Sequence, residues 1–185
     1  MRIVGGRFRG RPLASPKSDA IRPTSDRLRE TIFNVLAHAY DDPVAGARVI
    51  DLFAGTGAMG LEALSRGARF ALFVDEGAQP RAIIRENVDA LGLGGSARLF
   101  RRDATHMGPI GPMAPFSLVF CDPPYSKGLA PKALESCATG GWLMPDALVV
   151  VEEAQDVAVT LPDAFAEIER RHYGETTVLF GRYAS

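Results

Sequence analysis

The sequence Val49-Ile50-Asp51-Leu52-Phe53-Ala54-Gly55-Thr56-Gly57-Ala58-Met59-Gly60 joins an apolar strand to a glycine-rich turn and the start of a helix. Glycines at positions 55 and 57 can adopt positive φ, and they let backbone N–H groups approach a ligand that a side chain would keep away. Because the Asp51 carboxylate would repel a pyrophosphate and attract a cation, the turn favours S-adenosylmethionine, which carries an amine, over a dinucleotide. We predict that Asp51, Phe53, Gly55 and Gly57 bind this cofactor.

The same glycines also satisfy the dinucleotide-binding pattern Gly-x-Gly-x-x-Gly, and Asp75 follows at about the spacing of a ribose-binding acid. A nicotinamide-dependent oxidoreductase is therefore an alternative, although neither a substrate domain nor a general-acid histidine follows the motif. A tight strand-to-helix turn without any ligand is the other alternative. The choice depends on a second motif, Asp122-Pro123-Pro124-Tyr125.

This second motif follows an apolar strand and predicts a site for an exocyclic amine. Two consecutive prolines hold the backbone extended and remove two N–H donors, so that only acceptors remain. The Asp122 carboxylate and the Pro123 carbonyl are expected to accept both N–H bonds of the amine and to stabilise its developing positive charge. Pro124 completes the turn, and Tyr125 offers a flat face on which an extruded base can stack. No metal is expected, because a sulfonium is already an activated methyl donor.

From residue 48 onward, strand and helix patterns alternate, which predicts a mostly parallel sheet with helices on both faces. The predicted strands span 48–53, 70–74, 97–101, 116–121 and 147–152, and the predicted helices span 57–65, 79–91 and 128–137. Residues 164–172 and 175–183 predict an antiparallel hairpin at the C-terminal end of the sheet.

Further acidic residues follow the second and third predicted strands. Ligands of such sheets bind at the carboxyl ends of the strands. Asp75 or its neighbour Glu76 is expected to accept hydrogen bonds from ribose hydroxyls, and Asp103 with Ala104 is expected to receive the adenine amine. Capping of a following helix suits Asp103 equally well.

The N-terminal forty residues are basic. They hold eight Lys/Arg and three Asp/Glu, which gives +5, whereas the remainder carries −6. Residues 5–13 alternate glycine, arginine and apolar residues, as in an exposed hairpin whose arginines, Arg7, Arg9 and Arg11, share one face. That face suits a phosphate backbone, although a solvated basic surface is an alternative.

A helix follows this hairpin, capped by Thr24 or Ser25. Its apolar residues recur at spacings of three and four, and Arg29 is expected to lie off the apolar stripe. The chain of 185 residues has no apolar run long enough to span a membrane, no signal peptide and no metal-ligand spacing among its histidines. A cytoplasmic protein without a membrane or metal partner is expected.

Taken together, these residues resemble the RsmD family, bacterial 16S ribosomal RNA guanine-N2 methyltransferases with the class I S-adenosylmethionine-dependent, Rossmann-like α/β fold. The resemblance covers nearly the whole chain. Besides the glycine turn and the proline motif, it includes Arg2-Ile3-Val4-Gly5-Gly6, Arg9-Gly10-Arg11, Arg22-Pro23-Thr24, Asp26-Arg27, Arg29-Glu30 and Phe33-Asn34.

The resemblance implies a methyltransferase domain at 41–185 and an RNA-contacting extension of hairpin and helix at 1–40, with Arg22 among its RNA contacts. It also implies that the target is guanosine 966 of 16S RNA within the small ribosomal subunit, and a monomer is expected. The chain departs from the family at Asp75, where glutamate is expected. Adenine-N6 or cytosine-N4 methylation of DNA or RNA, and RNA binding without turnover, are the alternatives.

Overall fold

A computed structural model describes residues 1–16, 25–124 and 128–184. The helices are α1 (Asp26–Ala39), α2 (Ala58–Ser65), α3 (Ala78–Ala90) and α4 (Leu129–Thr139). The strands are β1 (Arg48–Leu52), β2 (Phe70–Val74), β3 (Ala97–Phe100), β4 (Phe116–Cys121), β5 (Leu143–Ala154), β6 (Phe165–Tyr173) and β7 (Thr176–Tyr183). Helix α1 begins after Ser25, whose side chain accepts a hydrogen bond from the Leu28 N–H, whereas Thr24 lies outside the described residues.

The strands form one sheet in the order β3-β2-β1-β4-β5-β7-β6. Strands β1 to β5 are parallel, and β7 pairs antiparallel with both β5 and β6. The predicted parallel sheet and C-terminal hairpin are thus confirmed. Strand order reverses between β1 and β4, and a sheet of this kind binds its ligands at the carboxyl ends of the strands on either side of that reversal.

Alternating side chains of the sheet enter two apolar cores. On one face, Val49, Leu118, Phe120 and Val150 pack with residues of α1, α2 and α3. On the other face, Ile50, Cys121, Val149 and Val151 pack with α4 and the fully buried Trp142. Burial on both faces explains why these strands are almost continuously apolar in sequence.

Strand β5 is longer than predicted. Phe116 of β4 pairs with Leu143, but Leu118 pairs with Leu148, so β5 bulges between these two pairings. Asp146, within the bulge, has φ +63°. Because Pro145-Asp146 has the composition of a turn, the sequence pattern predicted a strand only from residue 147.

The N-terminal hairpin is tightly turned rather than extended. Arg2 and Pro12 form an isolated antiparallel bridge, and the Ile3 N–H donates to the Arg11 carbonyl at 3.0 Å. Residues 5–10 form bends and turns, so the predicted two-residue alternation does not hold there. Gly6 explains the geometry, because it has φ +77° and a Cβ at this position would lie 2.0 Å from the Ser65 carbonyl oxygen.

A buried ion-pair network joins this hairpin to the helices, and the expectation for Arg29 was wrong. Arg29 is fully buried in α1, and its Nε donates to Glu62 at 3.1 Å. Glu62, also fully buried, further accepts hydrogen bonds from the N–H groups of Val4 and Gly5 and from Arg66 Nε at 2.8–3.0 Å. The partner that buries Arg29 is distant in sequence, so helix periodicity alone could not reveal it.

Candidate active site

A cavity of about 740 Å³ opens at the carboxyl ends of the parallel strands, within the range that ligand pockets usually have. The predicted residues that line it are Asp51, Phe53, Gly55, Asp75, Glu76, Asp103, Ala104, Asp122, Pro123 and Pro124. Gly57 lies directly beside the lining residues Thr56 and Ala58. Tyr125 and Arg22 lie outside the described residues. The structure therefore brings the glycine turn and the proline motif to one cavity.

The turn after β1 has an unusual backbone. Gly55 and Gly57 have φ +59° and +79°, the left-handed region that glycine enters without steric cost. Phe53 also has φ +55°, although it carries a side chain. A left-handed non-glycine residue costs of order 1–3 kcal/mol and concentrates at functional sites. Here it directs the chain from the strand into the turn that borders the cavity.

Asp51 is almost completely buried, with 3% of its surface exposed. Its Oδ2 accepts a hydrogen bond from the Gly60 N–H at 3.0 Å, near the start of α2. Burial raises the pKa of Asp51 well above its ordinary value, and the neighbouring charges of Asp122 and Asp75 raise it further. A cationic group bound beside Asp51 would offset these effects, so the cavity favours a positive charge at this point.

Asp75, at the end of β2, holds two elements of the site together. One carboxylate oxygen accepts the Gly55 N–H at 3.0 Å, and the other accepts the Gly77 N–H at 2.9 Å at the start of α3. A carboxylate has about four acceptor positions, so these bonds leave capacity for a ligand hydroxyl. Asp75, which is shorter than the glutamate expected at this position, thus also fixes the glycine turn.

Asp103 closes a turn and does not cap a helix, which was the alternative to its predicted role in cofactor binding. Its Oδ1 accepts hydrogen bonds from both the side chain and the backbone of Thr105, at 2.7 and 2.9 Å. These bonds, and a weaker one from His106, lower the pKa of Asp103. The acid at this corner of the cavity is therefore ionised, and it can accept a hydrogen bond from an amine.

Asp122 and Pro123 follow β4 at the point of strand-order reversal. Asp122 is partly exposed and lies close enough to Asp51 to raise its pKa, whereas Pro123 is buried and Pro124 is exposed. The two carboxylates thus face the same cavity from neighbouring strands. No set of His, Cys, Asp and Glu side chains among the described residues is arranged to hold a metal ion. None of the described helices is both long and apolar enough to cross a membrane.

Sequence reasoning missed several residues that line the cavity. They are Ser25 at the start of α1, Leu28 in α1, Met59 in α2, Glu152 in β5 and Thr176 in β7. Most of them belong to elements that the sequence did not connect with the site. Glu152 did carry a signal, because it is an acid that directly follows the apolar run of a predicted central strand.

The arginines of the N-terminal hairpin do not line the cavity. The Arg7 N–H donates to the carbonyl of Ser65, the last residue of α2, whose first residue borders the cavity. Arg7, Arg9 and Arg11 are nevertheless exposed. The tip of the hairpin therefore lies about one helix length, roughly 12 Å, from the glycine turn.

The strand order and the strand-end cavity define the class I S-adenosylmethionine-dependent methyltransferase fold. "Putative methyltransferase yhhF" from Escherichia coli superimposes with a TM-score of 0.83 at 32% identity, covering 100% of this chain and 98% of that one. Magnesium protoporphyrin IX methyltransferase from Synechocystis, solved with bound cofactor, shares the fold at a TM-score of 0.62 and 14% identity, over 85% and 80% of the two chains. This chain belongs to the family described as conserved hypothetical protein 95, whose sequence pattern matches residues 1–182, and this is the RsmD family.

Relatives of known name align with most of the chain. Ribosomal RNA small subunit methyltransferase D of E. coli is 39% identical over 166 residues, which are 88% of this chain and 79% of the relative. The putative rRNA methyltransferase YlbH of Bacillus subtilis is 32% identical over 183 residues, 96% of each chain. The family resemblance read from the sequence is thus confirmed.

Proposed function

We propose that this protein transfers a methyl group from S-adenosylmethionine to the exocyclic N2 amine of a guanine in 16S ribosomal RNA, with guanosine 966 of the small subunit as the target. The observation that carries this proposal is the convergence of the Gly55 turn and the Asp122-Pro123 pair on one cavity. The names of the relatives, which are ribosomal RNA methyltransferases, support the substrate class.

The residues around the cavity fit the cofactor. The turn at Gly55 allows close approach of the backbone, the buried Asp51 suits the amine, and Asp75 with Glu76 suits the ribose hydroxyls. Asp103 and Ala104 border the part of the cavity assigned to adenine. When bound, S-adenosylmethionine supplies a methyl group already activated on a sulfonium, so the protein has mainly to position the acceptor.

Asp122 and Pro123 position that acceptor. The carboxylate and the adjacent carbonyl accept the two N–H bonds of the amine, which directs the nitrogen lone pair toward the methyl group. As the nitrogen becomes positive, the nearby negative charge of Asp122 stabilises it. Asp122 or water then takes the released proton. Tyr125 is proposed to stack on the extruded base.

The test is transfer of labelled methyl groups to unmodified small subunits, naked 16S RNA and duplex DNA, followed by mapping of the modified base. Label on guanine N2 in the subunits would support the proposal. Label on adenine N6 or cytosine N4 would be consistent with the proposed role of Asp122 but would contradict guanine as the substrate. Tight cofactor binding without any transfer would favour an RNA-binding module.

Cofactor binding is expected to depend on pH through Asp51. Burial raises the pKa of this carboxyl, and a bound amine favours its ionised form, so binding releases a proton while Asp51 is protonated. Affinity should therefore increase as pH rises toward the raised pKa, as long as the ligand amine stays protonated. Asp51→Asn should bind about tenfold more weakly without this increase, as isothermal titration calorimetry from pH 5 to pH 7 would measure.

The stability of Asp51→Asn serves as a control for the binding measurement. A carboxyl whose folded-state pKa is raised stabilises the fold below its unfolded pKa, and this contribution is lost as pH rises through the folded pKa. The amide oxygen can still accept the Gly60 hydrogen bond. The variant should thus be at least as stable as the wild type at pH 8, and an unchanged pH profile of binding would contradict the role of Asp51.

The arginines of the N-terminal hairpin are proposed to contact RNA phosphates, together with Arg22. Replacing Arg7, Arg9 and Arg11 by alanine should weaken RNA binding and reduce the slope of log affinity against log salt by about two. Filter binding at several salt concentrations measures this slope. Arg170→Ala, which removes an exposed arginine on the edge strand β6, is the control and should leave it unchanged. An unaltered slope in the triple variant would make the hairpin a solvated surface.

A further inference from the structure

Three carboxylates line one edge of the cavity on the same face of the sheet. Val49, Phe120 and Val150 face the core that contains α1 and α2, and side chains alternate along a strand. Asp51, Asp122 and Glu152 therefore follow on that face, each near the carboxyl end of its strand, in β1, after β4 and in β5, and all three line the cavity. The proposed function uses the first two and leaves Glu152 without a role.

Glu152 is the neighbour of Asp122. Cys121 pairs with Val151 in the parallel register, so the next residues of the two strands, Asp122 and Glu152, lie side by side. Adjacent strands are about 4.8 Å apart, so the carboxyl groups of Asp122 and Glu152 can both reach the same edge of one base. Glu152 is only 6% exposed, and its carboxylate has acceptor positions for more than one partner.

We infer that Glu152 selects guanine by accepting the hydrogen bond of its N1–H while Asp122 holds the neighbouring 2-amine. This inference rests on the proposed function and names the residue that sets its base specificity. Guanine presents two donors side by side on this edge, an N1–H and an amine. Adenine and cytosine also carry an amine, but the ring nitrogen beside it is an acceptor, which a buried carboxylate repels.

The adjacent acid provides a matched control. Glu153 is as deeply buried as Glu152, but it lies on the opposite face of β5 together with Val149 and Val151. Its Oε1 accepts the N–H of Ala154 at 3.0 Å, and it does not line the cavity. Glu152→Gln and Glu153→Gln therefore each replace one buried carboxyl group of the same strand by an amide, on different faces.

The experiment compares guanine with 2-aminopurine at the target position of 16S RNA that is ligated from synthetic fragments and assembled into small subunits. Both bases carry the 2-amine, but 2-aminopurine lacks the N1–H. The wild type should methylate guanine with a kcat/KM about ten- to a hundredfold higher, the worth of one hydrogen bond to a charged group. Glu152→Gln should lower this ratio at least tenfold, and Glu153→Gln should leave it unchanged.

The outcomes separate this inference from the proposed function. If the wild type does not methylate guanine N2, the proposed function fails and the inference with it. If the wild type methylates guanine N2 and 2-aminopurine with equal kcat/KM, the proposed function stands and the inference is overturned. This outcome does not depend on whether Glu152→Gln folds. If Glu152→Gln binds the cofactor normally but slows both bases by the same factor, Glu152 has only a structural role and the inference is likewise overturned.

Discussion

Asp122→Ala is expected to lower the rate of methyl transfer at least about a thousandfold while cofactor affinity stays within about twofold of the wild type. Removing one preorganised group that stabilises developing charge commonly costs 10²–10³ in rate, and loss of orientation adds to this. The cofactor residues of the Gly55 turn are untouched. Because the charge of Asp122 helps to raise the pKa of Asp51, its removal leaves Asp51 more readily ionised and no less attractive to an amine.

Single-turnover transfer to small subunits measures the rate, and calorimetry with S-adenosylmethionine measures the affinity. Asp122→Asn is the graded control, since its amide oxygen still accepts one hydrogen bond but carries no charge. It should retain a small part of the activity that the alanine variant loses. Loss of cofactor binding in parallel with transfer would mean that Asp122 belongs to the cofactor site and does not orient the acceptor.

Glu62→Ala is expected to reduce the free energy of unfolding by about 3–5 kcal/mol. The substitution leaves the buried Arg29 without its partner in α2, and it removes the acceptor for the backbone N–H groups of Val4 and Gly5. Buried groups that lose their partners cost far more than an exposed ion pair contributes. A loss of this size is a large fraction of the stability of a domain, which is typically 5–15 kcal/mol.

Urea unfolding followed by circular dichroism measures this loss. The control is Glu86→Ala, which removes an exposed glutamate from α3 and should change stability by less than about 0.5 kcal/mol. If Glu62→Ala unfolds at the same urea concentration as the wild type, then the network does not hold the hairpin and α1 to the rest of the fold.

The sheet and the position of the site were predictable because their causes are local. A strand buried on both faces must be apolar over its whole length, as β1 and β4 are, and glycine occupies two of the three positions with positive φ in the turn between β1 and α2. Strand ends that meet at one edge of a parallel sheet then bring Asp51, Asp75 and Asp122 together without any knowledge of side-chain contacts.

The remaining features depend on residues far apart in the chain. Arg29 is buried because it forms an ion pair with Glu62, which lies 33 positions away in the sequence. The hairpin is tightly turned because Gly6 packs on Ser65. The extra length of β5 depends on a pairing with β4 that includes a bulge between the Phe116 and Leu118 pairings. Neither the hydrophobic periodicity nor the local amino-acid composition can predict such long-range pairings.

Helix α2 has one further consequence for the choice of substrate. Its first turn follows the cofactor turn, and Ser65 at its other end binds the hairpin, with its Oγ accepting the Phe8 N–H at 3.0 Å and donating to the Gly5 carbonyl at 2.6 Å. Under the proposed function, a single rigid element fixes the separation between the arginines that bind the RNA backbone and the methyl group to be transferred. The enzyme would then recognise the target nucleotide both by its base and by its distance from the bound RNA phosphates. A guanine at a different distance from those phosphates would remain unmodified.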